Sequence, residues 1–144
     1  MMRLITPIIL FAFLFATSCK KEDEPNPGPK YISLTNVTLD GKSWSSSYTG
    51  VSVNPEFIIS FSEPIDHGSA ASAILFSAAT STISPTIQFA NGDSTLIVKP
   101  STPLNFLKTY YLEISDQLMS VSKTKQLEST ATIKLVTTFD PTDK

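Results

Sequence analysis

Short runs in which bulky apolar side chains recur at every second position constrain this chain more than any other feature. Phe57, Ile59 and Phe61 alternate with Ile58, Ser60 and Ser62, which puts three large groups on one face of a strand. Leu96 and Val98 alternate with Ile97 and Lys99, after a turn at Asn91-Gly92-Asp93 in which Asn and Gly tolerate the positive φ of a tight hairpin. Ile87 and Phe89 lie just ahead of that turn, so the two runs are expected to pair. Tyr110, Leu112 and Ile114 face one way while Tyr111, Glu113 and Ser115 face the other. Ile133, Leu135 and Phe139, with Lys134 outward, are expected to form the last strand. Turn residues separate these runs at roughly the 8 to 12 residue spacing of a β-sandwich.

Two segments depart from the pattern. Asp66 to Ile74 holds Gly68, Ser69, Ala70, Ala71, Ser72 and Ala73, which suits a short helical turn capped by Asp66. The segment from Asn36 to Tyr48 contains the only tryptophan, Trp44, and is assigned to neither strand nor loop. The predicted fold is therefore all-β, an antiparallel sandwich of about seven strands with one short helical turn. A composition of 41% hydrophobic and 17% charged residues, rich in Ser and Thr, agrees with a globular, strand-rich chain.

The N-terminus has a different character. Arg3 is the only charge in a short n-region, and Leu4 to Ala16 form an apolar run interrupted by Thr6 and Pro7. A membrane-spanning helix needs ~20 apolar residues, so a run this short is read as a signal peptide over residues 1–18. Ala16-Thr17-Ser18-Cys19 resembles the lipobox of bacterial lipoproteins, in which small residues precede a cysteine that takes a diacylglyceryl group on its thiol. This resemblance makes Cys19 the lipidation site and the first residue of the mature chain. Residues 19–30 read as a tether, because Pro25, Pro27 and Pro29 deny the backbone helix and sheet bonds. Glu22, Asp23 and Glu24 resemble the acidic signal that sends lipoproteins of Bacteroidota to the outer face of the outer membrane; as a bare charge run they are a solvated linker. The sandwich is assigned to 31–140 and a short tail to 141–144.

Several motifs then fall in one order: Phe61-Ser62-Glu63-Pro64-Ile65-Asp66, Leu96-Ile97-Val98-Lys99-Pro100, Pro103-Leu104, Tyr110-Tyr111-Leu112-Glu113-Ile114 and Val136-Thr137-Thr138-Phe139. Between Gly50 and Phe139 they resemble the bacterial Ig-like domain of the SbsA type. The chain departs from that pattern at its end, where Val136-Thr137-Thr138-Phe139-Asp140 replaces the usual F-T-T order and Ser122-Lys123-Thr124-Lys125 stands where a Gly-Asn turn is common. The resemblance implies an Ig-like sandwich, and a tyrosine opening the penultimate strand can bury its ring and return its hydroxyl to nearby backbone; Tyr110 is that candidate.

The single histidine, His67, adjoins Asp66, and adjacent side chains point apart, so no triad is expected and His67 reads as a solvent-exposed loop residue. One histidine and one cysteine cannot supply four zinc ligands. Glu63, Asp66, Asp93, Glu113 and Asp116 were weighed as paired carboxylates and read as turn and surface groups; a calcium site on Glu63 and Asp66 lacks a spaced acidic loop. Trp44 has two readings: a platform for a sugar ring with Tyr31, Tyr48 and Phe106, or a lid packed on the sandwich. Trp44 and Tyr48 are accordingly the candidate ligand-binding residues. Asp93-Ser94-Thr95 resembles the short acceptor motif for protein O-glycosylation in Bacteroidota.

A formal net charge of −2 without a basic cluster argues against nucleic acid as a partner. With Cys19 the sole cysteine, no disulfide can form within the chain. The expectation is a lipoprotein anchored in the outer membrane and facing the cell exterior. It is a non-enzymatic structural, adhesive or assembly component with no cofactor, no metal and no catalytic residue. Its partners are the membrane, through its lipid, and a surface protein or polysaccharide. The alternative is a glycan-binding accessory lipoprotein of a polysaccharide-uptake system, and a third reading makes the chain the N-terminal piece of a longer enzyme gene.

Overall fold

The computed structural model describes residues 30–140; the expected signal peptide, Cys19, the expected tether before Lys30 and the tail at 141–144 lie outside them. In chain order the elements are β1 (Tyr31–Ile32), β2 (Leu34–Leu39), β3 (Lys42–Ser43), β4 (Ser47–Val51), β5 (Phe57–Phe61), α1 (His67–Ala73), β6 (Ile74–Ala78), β7 (Ser81–Ile83), β8 (Pro85–Ala90), β9 (Thr95–Pro100), β10 (Thr109–Ile114), β11 (Gln126–Leu127) and β12 (Ala131–Thr137). Two five-stranded sheets, ordered β3-β2-β5-β9-β8 and β4-β12-β10-β6-β7, face each other, and β1 and β11 form a small parallel pair. Eight strands run five residues or more, close to the seven expected, and four are short additions at edges and corners.

Alternation along the strands makes the core. Phe57, Ile59 and Phe61 are buried on β5, Leu96 and Val98 on β9, Tyr110, Leu112 and Ile114 on β10, and Ile133 and Leu135 on β12. The rings of Phe57 and Phe76, one from each sheet, meet at 5.9 Å and 54°. Each such side chain contributes about 1.5–3 kcal/mol by leaving water. The hairpin of β8 and β9 pairs as expected, Ile87 opposite Val98 and Phe89 opposite Leu96. Asn91, Gly92 and Asp93 all adopt positive φ at its turn. Pro85 opens β8 on the sheet's edge, where a missing N–H breaks no ladder.

The helical turn is also where the sequence puts it. Asp66 Oδ2 accepts from the Ser69 N–H at 2.9 Å, and the Ser69 hydroxyl donates back to the Asp66 carbonyl at 3.0 Å. Two details differ from expectation. The chain does not turn away after the helix but continues directly into β6, which pairs with β10 from Ile74 opposite Ile114. The last strand stops at Thr137, so Phe139 lies beyond it and is 65% exposed rather than part of the strand. The inward positions of β12 are Ile133, Leu135 and Thr137, and Thr137 ends the strand because its side chain is spent on a loop, as described below.

The two ends of the described segment lie at opposite ends of the sandwich. Ser33 accepts a backbone bond from Ser62 and Leu34 stands opposite Phe61, while α1 follows close behind, so residue 31 sits at the α1 end. Thr138 donates to the Val51 carbonyl and Leu104 to that of Val53, on the approach to Phe57, so Phe139 leaves at the other end.

Candidate functional site

The region from Asn36 to Tyr48, unassigned from the sequence, is a two-residue hairpin followed by an excursion. Asp40 and Gly41, at φ 48 and 76, join β2 to β3, which pairs only as far as Thr38 opposite Ser43. Trp44, Ser45 and Ser46 then cross from the edge of one sheet to β4 on the edge of the other. Trp44 is 51% exposed and lies beside the start of β2, where with Leu34, Thr35, Asn36 and Val37 it lines a groove of about 380 Å³.

Two local features build this groove. The pairing of β2 with β5 steps from Leu34 opposite Phe61 to Asn36 opposite Ser60, leaving Thr35 as an extra residue. Such a bulge re-aims side chains, and here Thr35 and Asn36, neighbours in sequence, are both exposed. The second feature is Tyr48. It is only 7% exposed, and its hydroxyl accepts the Ser45 N–H at 2.9 Å and donates to the Ser43 carbonyl at 2.9 Å. The backbone on either side of Trp44 is therefore clamped to one hydroxyl. The Ser45 hydroxyl, which donates to the Ser47 carbonyl at 2.8 Å, tightens the same turn.

Of the two candidate ligand residues, Trp44 is thus presented to solvent, not packed as a lid, and Tyr48 is buried beneath it as a support. The four-aromatic platform does not assemble: Tyr31 stands at the α1 end, Phe106 in the loop at the opposite end, and neither lines the groove. The supporting part of Tyr48 has a sequence signal only in hindsight, a tyrosine opening a strand just after a Ser-rich turn.

Among the described residues three ion pairs lie at the α1 end, and a fourth, Lys99 Nζ 2.6 Å from Glu56 Oε2, lies toward the other. Lys125 Nζ bonds Glu63 Oε1, and Lys123 Nζ lies 3.8 Å from Asp66 Oδ1. His67 opens α1; its ring stacks on Phe89 at 3.7 Å and 14°, and its Nε2 is 3.3 Å from Asp93 Oδ2. It is exposed as expected, yet it ties the helix to the β8–β9 turn. Asp116 Oδ1 accepts from the Gln117 amide at 3.2 Å. Glu63 and Asp66 are thereby engaged by lysines and a helix cap, and among the described residues no three metal-ligating side chains gather. The Ser94 hydroxyl of the Asp93-Ser94-Thr95 motif donates to the Asn91 carbonyl at 2.7 Å within the hairpin turn.

At the opposite end Tyr110 makes the corner the sequence implied: it is 2% exposed and its hydroxyl accepts the Asn105 N–H at 3.0 Å. A family model described as a bacterial Ig-like domain matches residues 35–142, nearly the whole of this sandwich. The chain belongs to the bacterial Ig-like domain family. Among solved structures, domains 1–6 of the surface layer protein SbsC are similar to this Ig-like domain at 17% identity and a TM-score of 0.48, covering 75% of this chain and 14% of that one. The native Escherichia coli alpha-2-macroglobulin, imaged by electron cryo-microscopy, is similar at 11% identity and a TM-score of 0.51, covering 77% of this chain and 6% of that one. A crystal structure of its MG0-NIE-MG1 part gives the same identity and TM-score, with 33% of that chain covered. The Ig-like chain thus spans a third or less of the length of these structures. Its likeness to the macroglobulin is one of fold. No curated protein matches the sequence.

Proposed function

We propose that the chain is a non-enzymatic Ig-like module held to the outer membrane by lipid on Cys19, facing the cell exterior and serving as a structural, adhesive or assembly component. The observation that carries this reading is the placement of the chain ends. Residue 31 sits at the α1 end, so a tether from Cys19 leaves that end toward the bilayer and holds the 104–108 loop and Phe139 farthest from it. Fully stretched, a Pro-rich tether of this length reaches about 35 Å. More than one acyl chain on the cysteine makes such anchoring durable without a spanning helix.

The carboxylates support the non-enzymatic part. Glu63 and Asp66, which would have to serve as acid, base or ligand, face lysines and a helix N–H in place of an open cleft.

Labelled palmitate is expected to enter the wild-type protein and to be absent from Cys19→Ala, which accumulates as an uncleaved precursor; equal labelling of both would refute the anchor. Protease added to intact cells is expected to digest the sandwich. Protection until the outer membrane is opened would refute display at the exterior while leaving the anchor standing.

A further inference from the structure

We propose that the groove beside Trp44 is a binding site for one neutral sugar ring of a polysaccharide, with the indole face stacked on the ring and Asn36 and Thr35 bonding its hydroxyls. This goes beyond the tethered module, which needs no ligand. A half-exposed tryptophan is costly to hold in water, yet here the backbone on both sides of it is fixed by a buried hydroxyl that bonds Ser43 and Ser45. The backbone that carries the indole is therefore preorganised, and a ligand that stacks there loses little to ordering of the chain.

The chemistry of the five lining residues selects the ligand class. Leu34 and Trp44 offer apolar surface, Val37, 2% exposed, backs the groove from the core side, Thr35 offers a hydroxyl and Asn36 an amide able to donate and accept. A pyranose matches this set, since one face presents C–H groups and its rim presents hydroxyls. Among the described residues no charged side chain lines the groove, which argues against anionic sugars and phosphates. Quaternary ammonium groups are held in cages of several aromatic rings, and this groove has one. The groove spans four residues of one strand, about 10 Å, and its mainly apolar lining is interrupted by the exposed Thr35 and Asn36, a poor fit for the apolar stripe of a helix. A volume of about 380 Å³ lies at the small end of the range for small-molecule sites.

Trp44 is the only tryptophan, so intrinsic emission reports this groove alone. The whole chain, held in a polyoxyethylene detergent that carries no sugar, is titrated with cellohexaose, xylohexaose, mannohexaose and maltohexaose, and with oligogalacturonate and tetramethylammonium as contrasts. At least one neutral oligosaccharide is expected to shift the emission saturably, with half-saturation near about 1 mM for so small a contact. The contrasts are expected to leave it unchanged. Asn36→Ala and Thr35→Val, both at exposed positions, are expected to weaken binding about three- to tenfold with unchanged melting. Trp44→Ala is expected to give no heat by isothermal titration. Flat emission with all four sugars, an equal response to either contrast, or undiminished affinity in Asn36→Ala overturns the proposal. The Cys19→Ala chain is expected to bind as the wild type does, so loss of the anchor and loss of the groove are read separately.

Discussion

Two buried tyrosines, Tyr48 and Tyr110, hold two loops by the same device, yet the loops differ in what they present. Each hydroxyl bonds backbone a few residues upstream, Tyr48 at Ser43 and Ser45, Tyr110 at Asn105. Around Trp44 the tyrosine bonds the backbone on both sides, the Ser46 carbonyl accepts the Lys134 N–H at 3.0 Å, and the indole leans along the flank of β2 to make a groove. Around Leu107 a second anchor is added: Thr137 Oγ1 accepts the Lys108 N–H at 2.9 Å and donates to the Asn105 carbonyl at 2.7 Å, and Leu107 itself donates to the Thr138 carbonyl at 3.0 Å. So tightly held, Leu107 takes a φ of 51 and projects from the end of the sandwich, 70% exposed. The loop that Tyr48 clamps keeps Trp44 against a neighbouring strand, whereas the loop held by Tyr110 and Thr137 absorbs backbone strain and turns Leu107 to solvent.

Removing the second anchor should have the largest effect. Thr137→Val keeps the shape but removes from the Lys108 N–H and the Asn105 carbonyl, both part-buried, the one buried hydroxyl that serves them, and a loss of about 2 kcal/mol in urea unfolding is expected. Next comes Tyr110→Phe, which strands the Asn105 N–H and is expected to cost about 1.5 kcal/mol; if it costs more than Thr137→Val, the tyrosine and not the threonine dominates that loop. Tyr48→Phe is expected to cost about 1 kcal/mol, because Ser43 and Ser45 can turn to water, but acrylamide should quench Trp44 more readily. Unchanged quenching would mean that the Trp44 excursion stands without its clamp. The smallest effect has the opposite sign: Leu107→Asn, at a position whose φ Asn tolerates and Leu does not, is expected to stabilise by about 0.5 kcal/mol in thermal unfolding.

The same two loops show what the sequence could reveal. Tyr110 was legible because it opens a strand of clean alternation within an ordered set of motifs, and the Asp66 cap and the Asn91-Gly92 turn were legible because their chemistry is local. Tyr48 was not, since β4 is an edge strand built from Ser47, Tyr48, Thr49 and Gly50 that forms only by parallel pairing with β12, more than eighty residues away. No local pattern announces such a pairing. β6 was hidden because Ile74 and Phe76 follow directly on the Ala- and Ser-rich turn. Phe139 was misplaced because alternation does not say where a strand stops; a buried threonine turned to bond the facing loop decides that. The bulge at Thr35, which brings two polar neighbours beside Trp44, depends on a one-residue slip against β5 that only the paired strands display.

The tether that would hold these loops away from the bilayer is tested most directly by intact-mass spectrometry of the protein purified from membranes. A chain beginning at Cys19 and carrying a thioether-linked diacylglyceryl group is the expected product. A chain with a free thiol at position 19, recovered from the soluble fraction, would contradict it.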